Sequence, residues 1–182
     1  MLRAIFTTVV GCAALISLCE AADTTVKPLV SFDASRAAGY TLLVRKESSI
    51  LARVESEASR NDEQVWWLVF NNPSECASSP CSLQDIYRKE TRADLIPVDH
   101  EQRIRSKAGD MCLTAGSQAG SLMPRFGMSS SGLVDVAKAE VQLLVADAGE
   151  HMESWVRRAS SDVMQGCASC NQVKVAVHTP RG

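Results

Sequence analysis

The run Val65-Trp66-Trp67-Leu68-Val69-Phe70-Asn71-Asn72-Pro73 constrains the fold of this chain more than any other stretch. Read as a strand, it places Val65, Trp67 and Val69 on one face and Trp66, Leu68 and Phe70 on the other. Both faces are apolar, whereas an antiparallel strand of a sandwich usually shows one face to water. The second face therefore needs a cover. Cover by residues 83–110 is the simpler expectation. The functional alternative is a binding surface made by Trp66, Trp67, Asn71 and Asn72, which requires at least one indole to open on a surface groove. Pro73 has no amide hydrogen and ends the ladder. Asn71 and Asn72 suit the pairing of backbone groups at a strand end better than action on a substrate.

Cys76 and Cys81 follow at once, and a second pair, Cys167 and Cys170, precedes the last apolar run. The compartment decides how to read them. Arg3, an uncharged apolar stretch from Ala4 to Leu18, and small residues before a cut after Ala21 predict a signal peptide over residues 1–21. The apolar stretch is shorter than the ~20 residues a spanning helix needs, and the mature chain is expected to carry no membrane span. Cys19 follows Leu18 rather than a small residue, which speaks against a lipoprotein signal. The chain is expected to be exported, to the periplasm or beyond the cell.

Export favours disulfides over thiols. Cleavage leaves Cys76, Cys81, Cys112, Cys167 and Cys170. The local pairs Cys76–Cys81 and Cys167–Cys170 are both feasible, and cross-pairing stays open because connectivity is not readable from sequence. Cys112, between Met111 and Leu113, is expected to pack as a buried inert thiol. Two sharper readings compete. Four thiolates can hold zinc, but the two pairs lie far apart in sequence. A redox Cys-x-x-Cys should start a helix, whereas Cys170 precedes an apparent strand, Val173-Lys174-Val175-Ala176-Val177. Structural disulfides rank first, metal second and redox chemistry third.

About 160 residues remain after cleavage, the size of one domain. The formal charge of −2 gives no general attraction to nucleic acid, and none is expected as a partner. Residues 22–39 read as an irregular lead-in with a short edge strand near Leu29, and residues 40–179 as the folded domain. Tyr40-Thr41-Leu42-Leu43-Val44 reads as a strand. Residues 49–58 fit both a half-buried strand and a helix. The strand is preferred because Asn61-Asp62 offers a turn, after which residues 65–70 return as its antiparallel partner. Ser82 with Asp85 three positions on predicts a short helix start. Residues 111–115, 139–146 and 171–178 read as strands, and 122–128 as a strand broken by Pro124. A helical turn carrying Trp155 is expected over 153–160. Many short strands with turns between them predict a mainly β fold: an antiparallel β-sandwich, or small barrel, with one or two short helices.

The element Trp66-Trp67-Leu68-Val69-Phe70-Asn71-Asn72-Pro73, Cys76, Pro80-Cys81 resembles the signature of an uncharacterised family of exported bacterial proteins. Residues 139–145 and the ending Gly166-Cys167, Cys170 and 173–178 share the resemblance, which spans roughly residues 40–178. It implies a secreted β-sandwich-like domain with no established activity. The pattern would place a His-Gly pair where Ala148-Gly149 stands.

Three histidines are present, His100, His151 and His178. His100 lies among Asp99 and Glu101, and His151 between Glu150 and Met152; both read as solvated turns rather than cation sites. No nucleophile elbow, phosphate loop, zinc-protease motif or dinucleotide fingerprint occurs. The function expected is therefore noncatalytic, binding an unknown protein or small ligand or serving structurally, with no cofactor and no metal. The alternative is an exported metal- or thiol-dependent enzyme using Cys167, Cys170 and His178.

Overall fold

A computed structural model describes residues 23–31, 36–57, 63–98, 108–147, 151–160 and 173–180. Its strands are β1 (Asp23–Ser31), β2 (Ala37–Arg45), β3 (Ser49–Ser56), β4 (Glu63–Phe70), β5 (Ala93–Pro97), β6 (Ala108–Thr114), β7 (Glu140–Asp147) and β8 (Val173–His178). They form one eight-stranded sheet in the order β5-β4-β7-β8-β1-β2-β3-β6, every pair antiparallel. All eight strands send side chains into a single apolar core, among them Leu29, Leu43, Val54, Trp67, Ile96 and Met111. A flat sheet cannot do that, because its end strands lie tens of ångströms apart at ~4.8 Å per strand. The sheet therefore curls into a half-barrel with β5 and β6 at its edges.

The outer face of the β4–β7 half is apolar as well. Trp66, Leu68 and Phe70 of β4 and Leu144 and Ala146 of β7 form a second core. It is roofed by helix α1 (Met152–Ala159) through Met152, Trp155 and Val156, and by Leu83 and Ile86 from a short 3-10 turn. The face-by-face reading of β4 holds, as does its need for a cover. The cover differs from the expectation: residues 83–95 supply part of it, and Cys81, Met123 and, from much later in the chain, α1 supply more.

Three local readings are corrected. β3 does not hairpin onto β4; it pairs with β2 and β6, while β4 lies between β5 and β7. The two strands are instead tied across the curl by side chains. Lys174 of β8 pairs with Glu63 at the start of β4 and donates to Ser56 Oγ at the end of β3. Residues 23–31 are a strand paired along its length with β2, where an irregular lead-in was expected. Its inward residues include Thr25 and Lys27, so it lacks the apolar alternation of an ordinary half-buried strand. Residues 123–126 form a 3-10 turn rather than a strand, with Pro124 in its first turn, where a missing amide hydrogen costs nothing.

The strand readings at 40–44, 49–56, 111–114 and 140–146 hold, as does the helical turn around Trp155. So does the start at Ser82, where the Asp85 carboxylate accepts from the Ser82 amide and hydroxyl at 2.8 and 2.7 Å. The signal segment 1–21, His100, Cys167 and Cys170 lie outside the described residues.

Candidate functional site

β4 ends at Phe70, and the chain turns over Pro73 into the loop that the disulfide Cys76–Cys81 closes (Cα–Cα 5.3 Å). β7 begins opposite, since Glu140 is the register partner of Phe70. Two side chains from one face of β7 grip the loop's backbone. The Glu140 Oε1 atom accepts from the Cys81 amide at 3.0 Å, and Gln142 Nε2 donates to the Cys81 carbonyl at 2.8 Å. Gln142 Nε2 also donates to Glu140 Oε1 at 2.8 Å. The loop stands off the sheet and leaves a cleft of about 630 Å³ between Pro73, Ser74, residues 76–79, Glu140, and Thr179 and Pro180 just after β8.

Glu140 is the ionisable group of that lining. Its residue is 1% exposed, and both hydrogen bonds fall on Oε1. Its other oxygen, Oε2, has no hydrogen-bond partner among the described residues. Burial holds the Glu140 carboxyl above the ordinary glutamate range, against the pull of Gln142 and the Cys81 amide, and the negative charge of Asp85 adds to the rise. Asp85 is the counter-case. Burial pushes its carboxyl up, but the amides of Ala77 and Ser82, the Ser82 hydroxyl and the Arg88 guanidinium bring it below its usual value. Arg88 lies 4.0 Å from Asp85 and is half exposed. The cleft floor thus carries a carboxylate whose hydrogen-bonding capacity is only half used. Oε2 is not among the fully buried polar atoms left without a partner, so it is reached from the cleft that Glu140 lines.

The residues expected to make a binding surface do not make one. Trp67 is 1% exposed and Trp66 8%. Each lies in one of the two cores, covered by this chain itself. The sequence leaves the cover of β4 open, and the roof formed by α1 removes the predicted groove. Asn71 is buried with its amide fully engaged: Nδ2 donates to the carbonyls of Arg92 and Gly132, both at 2.8 Å, and Oδ1 accepts from the Val134 amide at 2.7 Å. Asn72 Nδ2 donates to the Glu90 carbonyl at 2.8 Å. Both asparagines serve the backbone. Cys112 is half-buried, facing away from the core that Met111 and Leu113 enter, rather than buried with them.

His178 is fully buried and held at both ring nitrogens. Thr25 Oγ1 lies 2.7 Å from Nδ1, and Thr41 Oγ1 lies 2.8 Å from Nε2. Burial, with the charges of Arg45 and Lys27 adding to it, lowers its pKa to about 4. The imidazole is neutral at pH 7 and occupied. Arg45 beside it donates to the carbonyls of Val136 and His178. His151 is exposed.

Sequence reasoning missed Glu140 and Asp94. Asp94 is fully buried on β5, and its carboxylate accepts from the Ser121 and Ser130 hydroxyls and from the amides of Ser131 and Gly132. One signal for Glu140 was present. The face of β7 that opposes Phe70 and Leu68 opens with Glu140 and Gln142 before turning apolar at Leu144. Polar residues across from a fully apolar strand mark a place where something other than the core is met.

The disulfide points to an oxidising, non-cytoplasmic environment. No helix among the described residues is long and apolar enough to cross a membrane. Compared with protein-family models, with curated proteins and with solved structures, the chain shows no match.

Proposed function

We propose that this chain is an exported, noncatalytic binding domain whose ligand docks in the cleft beneath the Cys76–Cys81 loop. The observation that carries the reading is the half-partnered Glu140 carboxylate on the cleft's floor. An acceptor that the protein leaves without a partner and open to a cleft is free to take a donor from a ligand. The surroundings are built to hold position: a disulfide, a 3-10 turn capped by Asp85, and the Glu140 and Gln142 grip on Cys81. Such pre-organisation lowers the ordering cost of binding. The cleft's volume is within the range of small-ligand pockets, roughly 300–1,000 Å³. The signal peptide and the resemblance to exported bacterial proteins belong to the same proposal.

The enzyme alternative gains no support from His178, which is buried, doubly hydrogen-bonded and holds a lowered pKa. A general base needs a free lone pair within reach of its substrate.

The test is a fragment screen against the 15N-labelled mature protein, using neutral, cationic and anionic fragments and reading amide shifts. Binders should move residues 74–79, Glu140 and Thr179 together. Binders that consistently move another region, or a screen with no shift in the cleft, would remove the reading.

A further inference from the structure

We infer that the cleft takes a primary ammonium group, borne by a free amine or by a lysine side chain of a peptide, which docks on Glu140 Oε2. This rests on the binding reading above and names its ligand class.

Three observations converge. The first is the count of charges. Glu140 and Asp85 are both 1% exposed, the charge of Asp85 acts on Glu140, and among the described residues the cation paired with them is the half-exposed Arg88, 4.0 Å from Asp85. A cation entering the cleft offsets an excess of buried negative charge, and the low local dielectric strengthens the attraction.

The second is the chemistry of the lining. Besides Glu140 it offers the hydroxyls of Ser74, Ser78, Ser79 and Thr179. Ser78 Oγ spends its proton on the Pro80 carbonyl at 2.9 Å, so its oxygen is left to accept. Among the described residues the lining contains no Lys, Arg or His. A ligand rich in donors fits these groups.

The third is the shape of the carboxylate's availability. Oε1 is already committed twice, so only Oε2 is open. A guanidinium binds carboxylates best as a fork on two oxygens. An ammonium is a compact point charge with three donors and needs only one. Its remaining two N–H groups can meet the hydroxyls.

The experiment titrates the full mature protein with three probes: butylammonium, N-acetyl-lysine methylamide, and the neutral isostere N-acetyl-norleucine methylamide. Amide shifts report where each binds, and the 13C signal of the Glu140 carboxyl reports its ionisation. The expected result is that a cationic probe binds in the cleft at least about tenfold tighter than the neutral isostere, the advantage of one charge-assisted hydrogen bond. The Glu140 midpoint should fall on binding, because the ammonium favours the carboxylate, and the Asp85 signal should move less. A tighter butylammonium assigns the site to free amines; a tighter capped lysine assigns it to peptides. Glu140→Gln keeps the acceptor for Cys81 and should abolish the cationic preference. If that variant fails to fold, the shift of the Glu140 midpoint in the unmodified protein still decides. Equal binding of the neutral isostere in the cleft overturns the ammonium assignment and leaves the binding reading standing. The same holds if only anionic or uncharged fragments shift the cleft. No cleft shift from any fragment overturns both.

Discussion

Buried polar side chains set the behaviour of this protein residue by residue. His178 shows it through pH. Its folded pKa is about 4 against an ordinary 6.5. Between those values the unfolded chain binds a proton that the native state refuses, so stability rises with pH there. The contribution is full above about 6.5 and is lost as the pH falls toward 4. Urea denaturation midpoints across that window should show a loss on the order of 3 kcal/mol that His178→Gln abolishes. Glu140 acts in the opposite sense: its raised folded value gives stability below the ordinary glutamate range that is lost as pH rises through that value. Subtracting the His178→Gln curve from that of the unmodified protein separates the two. Asn71 holds two carbonyls and an amide of the 92 and 132–134 segments. Asn71→Ala removes three hydrogen bonds, one of them buried and two part-buried, and chemical denaturation should show a loss of about 2–4 kcal/mol. That role was legible in the sequence, where Asn71 reads as a backbone partner at a strand end. Glu140 was not, because a lone glutamate opening an alternating strand looks solvent-facing until its register against Phe70 is known.

Among the elements, β4 was the most legible. Its two apolar faces are a local property, and they correctly demanded cover on both sides. The identity of the cover was hidden, since α1 lies more than eighty positions further along the chain and only its short amphipathic repeat announces it. The β3–β4 hairpin failed for a related reason. A turn signal specifies that the chain bends, whereas partner choice depends on which strands complete the curl. β1 was obscured by its inward Thr25, whose hydroxyl is matched to His178 from the far end of the chain. Strands that carry a polar inner residue lose their periodic signal. The second core offers a direct check on the helix. Trp155 is fully buried against β4 and β7. Trp155→Ala should cost about 3–5 kcal/mol in thermal or urea unfolding, as removal of a large core aromatic does. Val26→Ala, at a side chain that is 61% exposed, should change stability by less than about 0.5 kcal/mol. Similar losses from both would mean that α1 does not roof the sheet.

At the scale of the whole molecule, the curled sheet brings three distant pieces of chain to one place. The disulfide loop after β4, the first residue of β7 and the segment after β8 meet around a cleft that none of them defines alone. Mainly β architecture was readable in advance, and the Cys76–Cys81 bond was one feasible pairing that the structure selects over cross-pairing. The cleft was not readable, because it is a product of strand order. The proposed role depends on the Glu140 carboxyl being buried there with one oxygen unmet. A pH titration of its side-chain carboxyl carbon by 13C NMR, in the unliganded protein, reads that state directly. The midpoint should lie above the ordinary glutamate value of 4.5. A midpoint at or below 4.5 would show a carboxylate already solvated or paired, and the cleft would hold no waiting acceptor.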